Sequence, residues 1–140
     1  MRKAFTSSVY LIHDRSVLLI LHKRFDAWVP VGGEIESNES PTEAARREVF
    51  EETGIEDFTF CAPSLLRSVP GLVSYEEHDA GPKGWHMNFV FFGFTKNRDL
   101  PKPCTEYSAY YWFQGDEQIL LQKCPENVQT FMQKALIIAP

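Results

Sequence analysis

Residues 32–55 read GGEIESNESPTEAARREVFEETGI, and the local structure of this stretch decides the fold. Ser40-Pro41-Thr42-Glu43 has the order of a capping box, with proline at the first helical position. Gly54 is placed to terminate the helix just past its last turn. The spacing predicts a helix over Pro41–Thr53. Glu48, Glu51 and Glu52 then fall at i, i+3 and i+4 on one face, about 100° wide. Like charges so spaced repel by roughly 0.2–0.5 kcal/mol per pair. A helix that breaks a local rule in this way marks a functional surface more often than an idle one. A hard cation with oxygen ligands would turn the repulsion into binding. The plain alternative is a solvated acidic face. Before the helix, the paired Gly32 and Gly33 permit unusual backbone angles and close approach of backbone to a ligand.

Outward from this helix the pattern is mostly that of strands. Phe5–Ile12 and Val17–His22 are apolar runs separated by His13-Asp14-Arg15, which predicts a hairpin. Trp28 to Gly33 reads as a stiff irregular stretch. Phe58–Leu66, His86–Thr95 and Tyr107–Phe113 predict further strands, about five in all, with Glu106 just ahead of the last. Between them, Ser68 to Trp85 is rich in glycine, proline and charge. It is expected to be a long hairpin loop or a flap facing substrate. After Pro125, the residues Val128, Phe131, Met132, Ala135 and Leu136 follow the spacing of an amphipathic core helix.

The 140 residues fit one domain spanning 1–140, with 44% hydrophobic and 24% charged residues. A net charge of -5 without any lysine or arginine run argues against broad binding of nucleic-acid backbone. Cys61, Cys104 and Cys124 are odd in number and lack C-x-x-C spacing, as expected of reduced thiols. The apolar runs near the N-terminus are too short for a signal peptide or membrane span, so a cytoplasmic location with no membrane partner is expected. His22, His78 and His86 are scattered and read as structural or surface histidines. Trp28, Trp85, Phe25 and Tyr75 read as packing residues, with stacking on a base as the alternative.

Gly33, Glu39, Arg47, Glu48, Val49, Glu51, Glu52, Gly54 and Ile55 fill the nine specified positions of the pattern G-x5-E-x7-R-E-U-x-E-E-x-G-U, where U is bulky and aliphatic. The segment resembles the Nudix box. Trp28-Val29-Pro30 before it, and Tyr111-Trp112-Phe113 with Asp116-Glu117 after it, also resemble the usual Nudix surroundings. The resemblance implies an α/β/α sandwich with a mixed β-sheet between helices. It implies Mg²⁺-dependent hydrolysis (Mn²⁺ may substitute) of the diphosphate linkage in a small nucleotide or nucleotide derivative, such as a nucleoside triphosphate or nucleotide sugar. Glu48 and Glu52 would ligate the metal, with the Gly32 carbonyl nearby and Glu51 as a further ligand or proton acceptor. Arg47 would fix a carboxylate, and Glu51 lies four residues on. Glu39, Gly33 and Gly54 would have structural roles. The general base would be Glu106 or Glu51, and a homodimer is compatible with the family. Two other readings share the fold. A nucleotide-sensing module commonly lacks box acids that this chain keeps. An isoprenoid diphosphate isomerase needs a suitably placed cysteine and acid, which the surroundings of Cys61 and Cys104 do not resemble.

Overall fold

A computed structural model describes residues 1–61, 64–102, 105–118 and 122–139. At its centre lies β1 (Lys3–His13), whose residues 6–12 are buried whichever face they point to. A strand with both faces covered needs no polar alternation, which is why residues 9–12 form an unbroken apolar run and Thr6, Ser7 and Ser8 are buried as well. One edge of β1 runs parallel to β7 (Trp85–Thr95), paired from Lys3↔Trp85 to Ile12↔Phe94. The other edge is divided. Thr6–Val9 pair antiparallel with β4 (Val31–Glu34), while Ile12 and His13 pair with β2 (Ser16–His22). From there β2 carries β3 (Ala27–Val29) on one side and β8 (Tyr107–Phe113) on the other. The far edge of β7 is divided too, between β6 (Leu72–Asp79) and β5 (Phe58–Phe60).

This eight-stranded mixed sheet separates two apolar layers. Val9, Leu11, Leu18 and Ile20 meet Ala45 and Val49 of α1 (Pro41–Thr53). The alternate residues Tyr10, Ile12, Val17 and Leu19 meet Val128, Phe131, Met132 and Ala135 of α2 (Glu126–Ile138). The result is the expected α/β/α sandwich.

The start of α1 follows its sequence. Ser40 Oγ accepts the Glu43 N–H at 3.1 Å, and the Glu43 carboxylate accepts the Ser40 N–H at 2.9 Å. At the other end Gly54 takes φ 79, the left-handed conformation that lets its N–H reach the Phe50 carbonyl.

Several boundaries differ from the sequence expectation. Leu72–Asp79 is a strand, so the Ser68–Trp85 stretch is largely a hairpin arm whose turn is Ala80–Gly84, with a short 3₁₀ turn at Gly81–Lys83. Its run VSYEEHD looks loop-like because one of its faces carries the polar Glu76 and His78, which pair with each other at 2.7 Å while Asn127 of α2 donates to Glu76. Trp28–Gly33 is two short strands on either side of Pro30, which has no N–H to donate to a ladder. The strand expected over Phe58–Leu66 ends at Phe60, and Leu65 and Leu66 are exposed. Cys61 and Cys124 are free and buried, whereas Cys104 lies outside the described residues.

The cap predicts a measurable cost. Ser40→Ala removes one half of the capping box and should lower unfolding stability by about 1 kcal/mol. Urea denaturation would read this as a lower midpoint at unchanged slope; an unshifted midpoint would show that the box is ornamental.

Candidate active site

The acidic face of α1 is organised by Arg47. Its Nε and Nη2 donate to the two carboxylate oxygens of Glu39 at 2.7 and 2.9 Å, a bidentate pair. Nη2 also donates to the Glu34 carbonyl at 2.9 Å, and Nη1 donates to Glu48 at 2.7 Å and to Glu51 at 3.2 Å. Arg47 therefore ties the 34–39 loop to the helix. The expected contact with Glu51 is the longest of these. Its carboxylate neighbours raise the affinity of the guanidinium for its proton, and its hydrogen bonds hold the Glu39 carboxyl below the usual range. Glu39 thus acts on the acidic face through Arg47.

The three helix glutamates sit in different surroundings. Glu51 lies out in solvent, its side chain 56% exposed against 13% for Glu48. Glu52 is buried, and its Oε1 accepts the Gly32 N–H at 2.6 Å. The Glu48 carboxylate packs on Gly33, where a Cβ would stand 2.6 Å from Oε1. A Cβ on Gly32 would strike the Ser7 carbonyl of β1. Gly32 is therefore required by close approach to the β1 backbone, whereas a side chain at Gly33 would have to displace the Glu48 carboxylate. Burial pushes the Glu52 carboxyl up to about 8, and the Gly32 N–H offsets this only in part. Burial also raises Glu48, against the pull of Arg47.

The divided edge of β1 opens a cavity of about 370 Å³ that runs from Glu52, Gly32 and Gly33 past Thr6 and Ser8 to the first turn of α2. Glu106, at the start of β8, lies within electrostatic reach of Glu48, Glu52 and His22. It shares a smaller recess with His22, Lys23, Arg24 and Lys83, of which His22, Arg24 and Lys83 also line the cavity. The fold thus brings Glu106 towards the helix acids across 54 residues of chain.

Lys83 was not singled out by sequence reasoning. It sits on the 3₁₀ turn, within electrostatic reach of Glu34, Glu52, His22 and His86, with its ammonium 5.3 Å from the Phe25 ring centre. Nothing in the local run AGPKGW marks it as a site residue. Only the β6–β7 hairpin brings it to the cavity. His22 stacks on Phe25 with centroids 4.4 Å apart, so these two rings wall the cavity as well as pack it.

The family model for the NUDIX domain matches residues 3–133. The chain belongs to the NUDIX domain family. It is a pyrophosphohydrolase by class. A NUDIX-family hydrolase from Clostridium perfringens is 26% identical, with a TM-score of 0.84 over 99% of both chains. The dihydroneopterin triphosphate pyrophosphohydrolase of E. coli is 18% identical, with a TM-score of 0.71 over 96% of both. A bifunctional NMN adenylyltransferase/ADP ribose pyrophosphatase from Francisella tularensis, complexed with AMP and a Mn ion, is 17% identical with a TM-score of 0.67. In that case 97% of this chain covers 42% of the other. The last two likenesses bear on the fold alone. Among the described residues, no helix of this Nudix chain is long and apolar enough to cross a membrane.

Two outcomes follow from this geometry. With divalent ions chelated, folded Glu52 keeps its proton up to about pH 8, while the unfolded chain gives it up in the ordinary carboxylate range. The folded state binds the extra proton, so stability is full in acid and falls as pH rises through about 8. Glu52→Gln should remove most of that fall while Gln still accepts from Gly32. Melting curves of both proteins from about pH 5 to about pH 8 in EDTA test this, and parallel curves would refute it. Gly33→Ala should displace the Glu48 carboxylate and cut turnover while leaving the circular dichroism spectrum unchanged; wild-type turnover in a folded variant would overturn the packing argument.

Proposed function

We propose that this Nudix enzyme hydrolyses the diphosphate linkage of a nucleoside diphosphate joined to another moiety, using Mg²⁺ or Mn²⁺ held at the Gly32, Glu48 and Glu52 end of the cavity. The observation that carries the reading is the buried Glu52 and half-buried Glu48, whose carboxylates both meet the Gly32–Gly33 backbone. Burial raises both toward their neutral forms, as happens to acids that lack a nearby positive charge of sufficient strength.

The donor set suits a hard cation. Among the described residues no three His, Cys, Asp or Glu side chains form a ligating cluster. Mg²⁺ needs no such cage, because it takes one or two carboxylates and completes its shell with water and substrate phosphate oxygens. When bound, it supplies Lewis acidity and charge neutralisation on the phosphates. Glu51 is the further oxygen donor nearest in sequence, kept on the same helix face and tethered by Arg47.

The chain's own groups divide the remaining tasks. Arg47 holds Glu48 and prevents the acidic face from splaying. Lys83 supplies positive charge beside the path from the cavity to Glu52. Water attacks a phosphorus, one bridging P–O bond breaks, and the water's proton passes to a carboxylate. Glu106 is assigned that role in preference to Glu51, because it shares a recess with His22 and Lys83 within electrostatic reach of Glu52, whereas Glu51 is tied to Arg47. Diphosphate-linked substrates of varied kinds fit this division, since the box end handles only phosphate and metal. The neighbours' own substrates, dihydroneopterin triphosphate and ADP ribose, are consistent with it. The working setting is the cytoplasm, and a homodimer is compatible with the fold.

A hydrolysis screen over nucleoside triphosphates, nucleotide sugars and dinucleoside polyphosphates, with products identified by mass, tests the reading. Activity should vanish in EDTA and return with Mg²⁺ or Mn²⁺. Glu52→Gln should abolish it, and Glu106→Gln should lower kcat by roughly 10²–10⁴-fold with little change in KM. If Glu52→Gln matches wild type on every compound, catalysis at this helix is wrong. If Glu51→Gln is hit harder than Glu106→Gln, the proton acceptor has been misassigned.

A further inference from the structure

Three cations meet beside the cavity without an acid to pair with them. Lys23 and Arg24 open the turn between β2 and β3, and Lys83 sits on the 3₁₀ turn between β6 and β7. With His22 and Glu106 they line a recess of about 230 Å³ that adjoins the main cavity through His22, Arg24 and Lys83. Backbone contacts draw the recess together. The Lys23 N–H donates to the Glu106 carbonyl at 3.1 Å, and the Arg24 N–H donates to His22 Nδ1 at 3.2 Å. His22 adds no charge, since burial favours its neutral imidazole. Lys83 is half-buried, and its ammonium meets the Phe25 ring. Among the described residues none of the three cations forms an ion pair with a carboxylate; Glu34 pairs with Arg2 and Asp26 with Lys123 instead. The recess therefore sets three cations against the single carboxylate of Glu106, in a chain whose net charge is -5. Gathering like charges costs free energy, as does half-burying an ammonium, and a ring contact offsets only part of it. An anion in the recess would offset the rest.

We propose that this recess is a subsite for a further phosphate, one outside the diphosphate linkage held at the box, and that Lys23, Arg24 and Lys83 thereby select nucleoside triphosphates or longer polyphosphates over nucleotide sugars. The proposal rests on the pyrophosphohydrolase reading above and names its substrate class. Lys83 and Glu52 lie within electrostatic reach of each other, so a chain of phosphates can extend from the box end to the recess. A nucleotide sugar carries both of its phosphates in the linkage itself. It would bring a neutral ring to the three cations and leave them unpaired. A third phosphate brings the missing charge, with oxygens that the Arg24 guanidinium and the two ammonium groups can bind. Glu106 opposes that anion but is outnumbered.

Two measurements on the whole chain test the subsite. Calorimetry in EDTA reads the binding of inorganic tripolyphosphate without turnover. Wild type should bind it, and the double variant Lys23→Gln/Arg24→Gln, altered only at exposed positions, should bind it about tenfold more weakly or worse. Lys83→Gln should also weaken binding, and Lys83→Arg, which keeps the charge, should retain most of it. Absence of binding to wild type, or equal affinity in the double variant, overturns the proposal. The second measurement compares kcat/KM with Mg²⁺ on ATP, GTP, CTP and UTP against ADP-ribose and UDP-glucose. At least one triphosphate should exceed both sugar nucleotides by about tenfold or more in wild type, and the double variant should erase most of that ratio. A sugar nucleotide turned over as well as the best triphosphate overturns the proposal, as does a ratio that the double variant leaves unmoved. If tripolyphosphate binds through the recess but no compound is hydrolysed, the result counts against the pyrophosphohydrolase reading and not against the subsite.

Discussion

The acidic face of α1 depends on one guanidinium. Glutamates at this spacing repel in an isolated helix, and burying Glu52 and half-burying Glu48 adds a desolvation cost that the surface of a helix would not impose. Arg47 offsets the first problem by holding Glu48 and Glu51 and by being held itself through Glu39 and the Glu34 carbonyl. The bidentate geometry matters. A lysine could supply the charge at position 47 but not the planar fork that locks the 34–39 loop against the helix. The second problem, burial, is only partly relieved, by the Gly32 N–H on Glu52. Under the proposed function, that unrelieved burial is what a bound cation would offset.

The sheet gives this helix its setting. A central strand whose edge is shared between β4 and β2 cannot pair along its whole length, and the gap between the two partners is where the cavity lies. The box glycines sit on β4 at one end of that gap because side chains there would meet Ser7 or Glu48. The β6–β7 hairpin brings Lys83 and His86 to it from another part of the chain. Groups of different charge thus line different stretches of one opening, carried by β1, by the consecutive β4 and α1, and by the β6–β7 hairpin.

Residues 40–55 were fully legible in the sequence. A capping box, a proline at the first turn, a terminating glycine and i, i+3, i+4 spacing act within a few residues, so local chemistry alone fixes the helix and its acidic face. The apolar runs of β1, β2 and β7 and the stripe of α2 were equally plain, since burial on both faces or on one leaves a direct mark on composition. Short-range rules marked the glycine pair as permissive backbone, but that it approaches Ser7 and Glu48 is a matter of tertiary structure. By contrast, VSYEEHD gives no strand signal, because its polar Glu76 and His78 pair on one face of the strand and Glu76 is also met by Asn127, 51 residues away. Arg47 was expected beside Glu51 by helical spacing, yet its strongest partner is Glu39, reached only because the loop folds back. Sequence by itself therefore determined the helix that carries the box and the family to which it belongs. Tertiary structure alone decided which of the three helix acids are buried, where Glu106 stands, and that Lys83 faces the cavity. Burial and long-range pairing depend on how strands distant in the chain divide their edges, and no local pattern encodes that.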